Sequence, residues 1–345
     1  MTRPCRSRRL PSKLEEPAAT APLPPSATAL NSGLACSALV VFVVLCTAAG
    51  PAYASFPGSN GRIAYDLDAS DRYARGPSSI RAVNPRTRKI QGLQDCPRRS
   101  VRPEPVCAVG GPRYSPDGSR IAFGKTSIAY PPGQAWQYQA GIGIAAADGS
   151  QLEFHTTGPS PQFPPLSWSP GGDQFLLERA VSPLTLSISS LNGSELRRLS
   201  FPGIAGARAD WSSTGRIVFQ GRLDSDPCGA CVDLFVASAG GTPRRLTFRG
   251  GESPSWSPYA GKIVFVRRAR RERQGNIYIV RQNGRGLRRL TRRGAEAPVW
   301  SPDGKQIAFV RNNDIYVIRT DGGEPRSLTG LALQCRNLGR EFTPR

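Results

Sequence analysis

The chain says one phrase several times. Residues 297–329 read A-P-V-W-S-P-D-G-K-Q-I-A-F-V-R and then D-I-Y-V-I-R-T-D-G-G-E-P-R-S-L-T. Residues 253–291 read S-P-S-W-S-P-Y-A-G-K-I-V-F-V and then N-I-Y-I-V-R-Q-N-G-R-G-L-R-R-L-T. Further copies occupy residues 209–247 and 165–200, and a fifth, at residues 112–123, carries Tyr114 where the others carry Trp. A period of roughly 40–50 residues with this much strand signal belongs to a stacked or radial array of one supersecondary unit, so the repeat restricts the fold before composition is consulted.

One copy resolves into four short strands. The first runs into the Trp, and S-P-D-G then supplies Pro and Gly for a tight turn. The second is a near-continuous apolar run, such as Ile307-Ala308-Phe309-Val310 or Ile263-Val264-Phe265-Val266. The third, such as Ile315-Tyr316-Val317-Ile318, is rich in β-branched and aromatic residues. It ends at a two-residue hairpin signal, Asp321-Gly322, Asn283-Gly284, Asn192-Gly193 or Asp148-Gly149. The fourth is L-R-R-L-S/T. Four-stranded units repeated around an axis predict an all-β propeller. No 3.6-residue period is present beyond the N-terminal segment, which argues against an α-solenoid.

A sixth unit is needed to complete the ring. Phe56-Pro57-Gly58-Ser59-Asn60-Gly61-Arg62-Ile63-Ala64-Tyr65 mimics W-S-P-D-G-K-Q-I-A-F, giving six blades that start near residues 56, 112, 165, 209, 253 and 297. The first blade has almost no room for its innermost strand, and the tail 331–345 is expected to supply it, leaving no open sheet edge.

The N-terminus reads differently. A basic Pro/Ala-rich stretch precedes a 16-residue apolar run at 34–49 and an A-x-A site at Ala52-Tyr53-Ala54. These are the parts of a secretory signal peptide, and residues 1–54 are expected to be cleaved after Ala54. The run is shorter than the ~20 residues a spanning helix needs. Residues 55–330 are then the propeller of an exported, secreted or cell-envelope protein. Loss of the five basic and two acidic residues of 1–54 lowers the net charge from +21 to +18. That suits an anionic envelope polymer as partner, beside a protein partner; nucleic acid is not expected, and a monomer is.

The quoted W-S-P-D-G…I-A-F…D-I-Y-V-x-x-D-G-G…R-x-L-T unit resembles the TolB-type WD40-like repeat over residues 56–330, most closely in the last three copies. The resemblance implies a six-bladed propeller in the envelope or outside the cell, serving as a protein-binding platform. TolB-like proteins carry an α/β domain ahead of the propeller, whereas this propeller begins beside the expected cleavage site. The same repeat forms the gating propeller of prolyl oligopeptidase-like enzymes, whose hydrolase domain with its G-x-S-x-G motif has no counterpart in this sequence.

The short turns are uniform, whereas the insertions (66–78, 96–107, 125–140, 221–232 and 267–274) fall on one face, the expected binding face. Within it Tyr130, Trp136 and Tyr138 suit protein or glycan contact, and Arg267, Arg268, Arg270 and Arg271 suit phosphate or carboxylate. Glu252 and Glu296, each four residues before a repeat Trp, are placed at the channel mouth. The alternative to a non-catalytic scaffold is a hydrolase or lyase acting on an anionic glycan or peptide at that mouth, with this carboxylate pair as its acid and base. The L-R-R-L-T arginines are expected to guard exposed sheet edges. Cys96–Cys107 and Cys228–Cys231 are candidate disulfides, with Cys335 left over. No cofactor, metal or catalytic set is legible; the single His155 is expected on an outer strand, and Asp66, Asp68 and Asp71 lack the Gly and distal acid of a calcium loop.

Overall fold

A computed structural model describes residues 61–67, 78–96, 106–129, 137–158, 167–179, 185–225, 232–268 and 274–330. The expected signal peptide (1–54) and the tail (331–345) lie outside the described residues, as do residues 56–60 of the expected first blade. The described chain forms six antiparallel sheets, five of four strands and one of three. Blade 1 comprises Ile63–Leu67, Ser79–Val83 and Ile90–Asp95; blade 2 comprises Val106–Tyr114, Arg120–Ala129, Gln137–Ala146 and Glu153–Gly158. Blade 3 follows with Ser167–Trp168, Gln174–Arg179, Thr185–Ser190 and Glu195–Leu199, and blade 4 with Ile204–Trp211, Arg216–Leu223, Asp233–Ser238 and Arg244–Arg245. Blade 5 is Glu252–Trp256, Lys262–Arg267, Asn276–Arg281 and Arg288–Arg289; blade 6 is Glu296–Trp300, Gln306–Arg311, Asp314–Arg319 and Arg326–Ser327.

The apolar runs are continuous because these strands are buried on both faces. In blade 4, Ile217 and Phe219 join a core shared with blade 3, while Val218 between them joins the core shared with blade 5. Strand alternation thus sorts successive residues into two different cores. Phe219 is stacked between Phe201 at 4.5 Å and Phe235 at 5.6 Å, ring centre to ring centre. The last interface closes the circle: Tyr65 and Val83 of blade 1 pack with Val299, Val310, Ile315 and Leu328 of blade 6. The architecture is a six-bladed β-propeller.

Three recurring polar devices explain the invariant parts of the phrase. The acid or amide that opens the third strand locks the Thr that ends the fourth. Thr247 Oγ1 donates to Asp233 Oδ1 at 2.7 Å, Thr291 Oγ1 to Asn276 Oδ1 at 3.3 Å, and Thr329 Oγ1 to Asp314. In each case the same Thr oxygen accepts the next backbone N–H, that of Leu234, Ile277 or Ile315. In the S-P-D-G turns Ser115 and Ser301 donate to Asp117 and Asp303, while Gly118 and Gly304 take φ of 73° and 67°. Three hydrogen bonds to Asp117, from the Ser115 hydroxyl and from the Ser119 backbone N–H and hydroxyl, hold its carboxyl down at about 2.

The third device assigns the L-R-R arginines a role beyond edge protection. Arg244 donates to the Gln282 carbonyl, Arg288 to the Thr320 and Asp321 carbonyls, and Arg326 to the Pro85 carbonyl at 2.9 Å. Each guanidinium reaches from its own outer strand to the hairpin turn of the next blade. The Arg326 contact spans 241 residues of sequence, from blade 6 to blade 1.

Two expected insertions shrink in the structure. Residues 125–129 and 137–140 continue the ladder of blade 2, with Ile128 opposite Tyr138, and residues 221–223 continue a strand of blade 4. Backbone pairing outlasts the apolar run there, which a polarity pattern cannot reveal.

Candidate functional site

The inner strands share a distortion where they enter the ring. Three residues before the repeat Trp or Tyr stands a left-handed residue: Gly111 (φ 63°), Arg208 (42°), Ser253 (49°) and Ala297 (49°). Pairing with the second strand slips there in all four blades. Such bulges re-aim side chains and are common at the rims of closed sheets. A polar side chain of the preceding blade captures the bulged N–H. Asp66 Oδ2 accepts from Gly111 at 3.2 Å, Glu178 Oε2 from Arg208 at 3.1 Å, and Gln220 Oε1 from Ser253 at 3.0 Å. Burial raises the Glu178 carboxyl above the usual carboxylate range, against the lowering effect of the Arg208 N–H and guanidinium.

Glu252 and Glu296 open their inner strands beside the bulges, where the structure brings them together with Arg268. Arg268 Nε lies 3.1 Å from Glu252 Oε2 and its Nη2 lies 3.2 Å from Glu296 Oε1. One guanidinium therefore ties the inner strands of blades 5 and 6. Partial burial disfavours its charge, but Glu252 and then Glu296 outweigh that and raise its pKa. Arg208 extends the arc to blade 4, its Nη1 donating to Ser253 Oγ at 3.5 Å.

Arg267 is placed differently from its neighbour. Its Nε donates to the Gly250 carbonyl at 3.2 Å, and its guanidinium lies over Phe265 and Tyr278. Arg311 repeats this in blade 6, with the Gly294 carbonyl at 2.8 Å and the rings of Phe309 and Tyr316 beneath it. A side chain held identically in two blades is part of the repeat. Tyr130, Trp136, Arg270, Arg271, Cys228, Cys231 and Cys335 lie outside the described residues, and only the backbone of Tyr138 lies within them. Cys96 and Cys107 form a disulfide, with 5.6 Å between their Cα atoms, joining the end of blade 1 to the inner strand of blade 2. His155 sits on the outer strand of blade 2, 3.6 Å from Glu153. Among the described residues no group of three or more His, Cys, Asp or Glu could hold a metal ion. No helix among them is long and apolar enough to cross a membrane.

The bulges and their caps were missed by sequence reasoning. The available signal was a polar residue following the apolar run (Asp66, Glu178, Gln220), which becomes meaningful only once the ring sets it beside the next blade.

Several known propellers are similar to this chain in fold. The family model for the dipeptidyl peptidase IV (DPP IV) N-terminal region matches residues 267–332. TolB from Acinetobacter baumannii superposes with a TM-score of 0.58 at 20% identity, over 79% of this chain and 67% of that one. A puromycin-hydrolyzing peptidase of Mycobacterium tuberculosis gives 0.52 at 12% identity, over 82% of this chain but only 54% of the peptidase. A nidogen/laminin complex gives 0.51 at 11% identity, over 71% of this chain and 88% of its match. No curated protein matches the sequence. The chain has the TolB-like six-bladed propeller fold.

Proposed function

We propose that the chain is an exported, non-catalytic scaffold that binds a protein partner at the channel mouth, through the arc formed by Arg208, Ser253, Glu252, Arg268 and Glu296. The observation that carries this reading is the placement of Arg268 between the two carboxylates. A glycosidase needs one carboxyl to donate a proton and the other to attack or activate water. Sharing one guanidinium keeps both within the ~10 Å that such chemistry requires, but it engages both as acceptors of a fixed cation. The same arrangement suits recognition: a partner's carboxylate can replace either Glu on Arg268, and a partner's basic side chain can replace Arg268 on the pair. The likeness to TolB and to the nidogen/laminin propeller supports a scaffold reading, and the N-terminal segment supports export.

The match to the DPP IV N-terminal region favours a second reading, a propeller that admits peptides to a hydrolase. Both readings place the ligand at the mouth and differ in turnover. The test is capture from envelope extract by the wild-type chain and by an Arg208→Glu, Arg268→Glu variant, at low and high salt. A discrete protein held by the wild type and lost by the variant supports the proposal. Equal capture by both removes the mouth from it, and cleavage of peptide or anionic glycan that Glu252→Gln abolishes favours the enzyme.

A further inference from the structure

The repeats serve as one another's controls, and they show that positive charge is not spread evenly around the ring. Residues 281–293, the outer hairpin of blade 5, contain six arginines and no acid. The matching stretch of blade 6, residues 319–331, holds Arg319, Arg326, Asp321 and Glu324 and is neutral; that of blade 3, residues 190–202, holds Arg197, Arg198 and Glu195. In blade 4, residues 238–250 carry three arginines, of which Arg245 is held by buried Asp233. A composition that scatters arginine wherever a solvated charge is tolerated does not give one blade six and its neighbour a balanced set.

The differences fall at single aligned positions. Arg319 in blade 6 is paired with Asp321; its counterpart Arg281 faces Asn283, whose Oδ1 instead accepts the Arg285 N–H. Blade 6 has Gly323 and Ser327 where blade 5 has Arg285 and Arg289. Arg281, Arg285, Arg288, Arg289, Arg292 and Arg293 are all exposed. Apart from Arg288, which reaches the next blade, none makes an ion pair or a side-chain hydrogen bond among the described residues. Arg293 also adds to the burial that lowers the pKa of Arg311, so like charges accumulate at that end. The stripe runs from the hairpin turn along the outer strand to the opposite end of the blade, roughly 20 Å at strand rise.

The geometry points to the outer edge of blade 5, Arg281 to Arg293, as a second binding surface that takes a linear phosphate-bearing polymer lengthwise. Arginine forks suit successive phosphates bidentately. Nothing in 281–293 is aromatic, so the edge offers no platform for stacking bases. The single exposed aliphatic, Leu287, gives little apolar area for insertion into a bilayer. This surface is separate from the mouth, and the proposal stands or falls independently of the scaffold reading.

The test uses labelled long-chain inorganic polyphosphate, with fluorescence anisotropy read across a salt series. An Asn283→Asp, Arg285→Gly, Arg289→Ser variant installs residues that blade 6 already carries in the same hairpin. An Arg62→Ser, Arg86→Ser, Lys89→Ser variant removes the same net charge from exposed positions of blade 1. The blade 5 variant should lose about tenfold or more in affinity and flatten the salt slope by about 1.4, two lost phosphate contacts at roughly 0.7 each for a single strand. The blade 1 variant should lose less than about twofold. Equal losses would assign binding to net charge and overturn the proposal. So would tighter binding of wild type to single-stranded DNA or to phosphatidylglycerol vesicles than to polyphosphate. If the first variant unfolds, Arg292→Gln with Arg293→Gln tests the same edge and must show the same selective loss.

Discussion

Glu178 offers an internal experiment that the repeat has already half performed. Its carboxylate caps the N–H of Arg208, a left-handed bulge residue, at 3.1 Å; in the next blade Gln220 does the same for Ser253 at 3.0 Å. Glu178→Gln should therefore keep the cap, whereas Glu178→Ala removes it. Arg208 is exposed, so water can replace the lost acceptor and the cost lies at the lower end of a hydrogen bond's worth, about 1 kcal/mol. Thermal unfolding should show this as a fall of about 2–4 °C for Ala, and less than half that for Gln. The pH dependence carries a sign. Burial raises the folded-state pKa of Glu178, so the native state holds its proton more tightly than the unfolded chain, and wild-type stability declines as pH rises through the interval between the two pKa values. Gln does not ionise. The difference between Glu178→Gln and wild type should move in favour of Gln between acidic and neutral pH. A Gln variant as unstable as Ala would refute the capping role, and a pH-independent difference would refute the burial effect.

Other consequences can be measured alongside it. Replacing Cys96 and Cys107 by Ser opens a loop of 11 residues' separation and should cost about 3 kcal/mol in denaturant unfolding; an unchanged midpoint would contradict it. Asp314 is buried and accepts from Thr329 Oγ1 and from Ser327 Oγ at 2.6 Å, so Asp314→Ala should cost about 2–4 kcal/mol, mostly in stranded donors. If the tail supplies the innermost strand of blade 1, deleting residues 331–345 should lower Tm and speed amide exchange at Ile63–Leu67. Unchanged exchange there would dismiss the tail from ring closure.

Much of the fold was readable because a propeller writes its strands into every copy. The Trp, the S-P-D-G turn, the I-A-F run and the hairpin signal each have a local physical cause. The ends of strands were not readable, since residues 125–129 and 221–223 pair through their backbones without an apolar pattern. Relations between blades were harder still. Arg244 and Arg288 resembled edge charges until the ring placed a turn carbonyl within reach of each. Glu252 and Glu296 could be paired from their matching places in the repeat, but Arg268 is 16 residues from one and 28 from the other, so only the folded ring joins it to them.

The proposal that this cluster is where a partner docks can be tested with a photo-crosslinking amino acid placed in turn at Arg208, Ser253 and Asn283 of the chain expressed in cells with its N-terminal segment. Arg208 and Ser253 lie on the mouth arc, and Asn283 lies in a hairpin turn at the other end of blade 5. Discrete protein adducts from the two mouth positions, and none from Asn283, are the predicted result. Adducts of equal yield from all three positions, or from Asn283 alone, would contradict it.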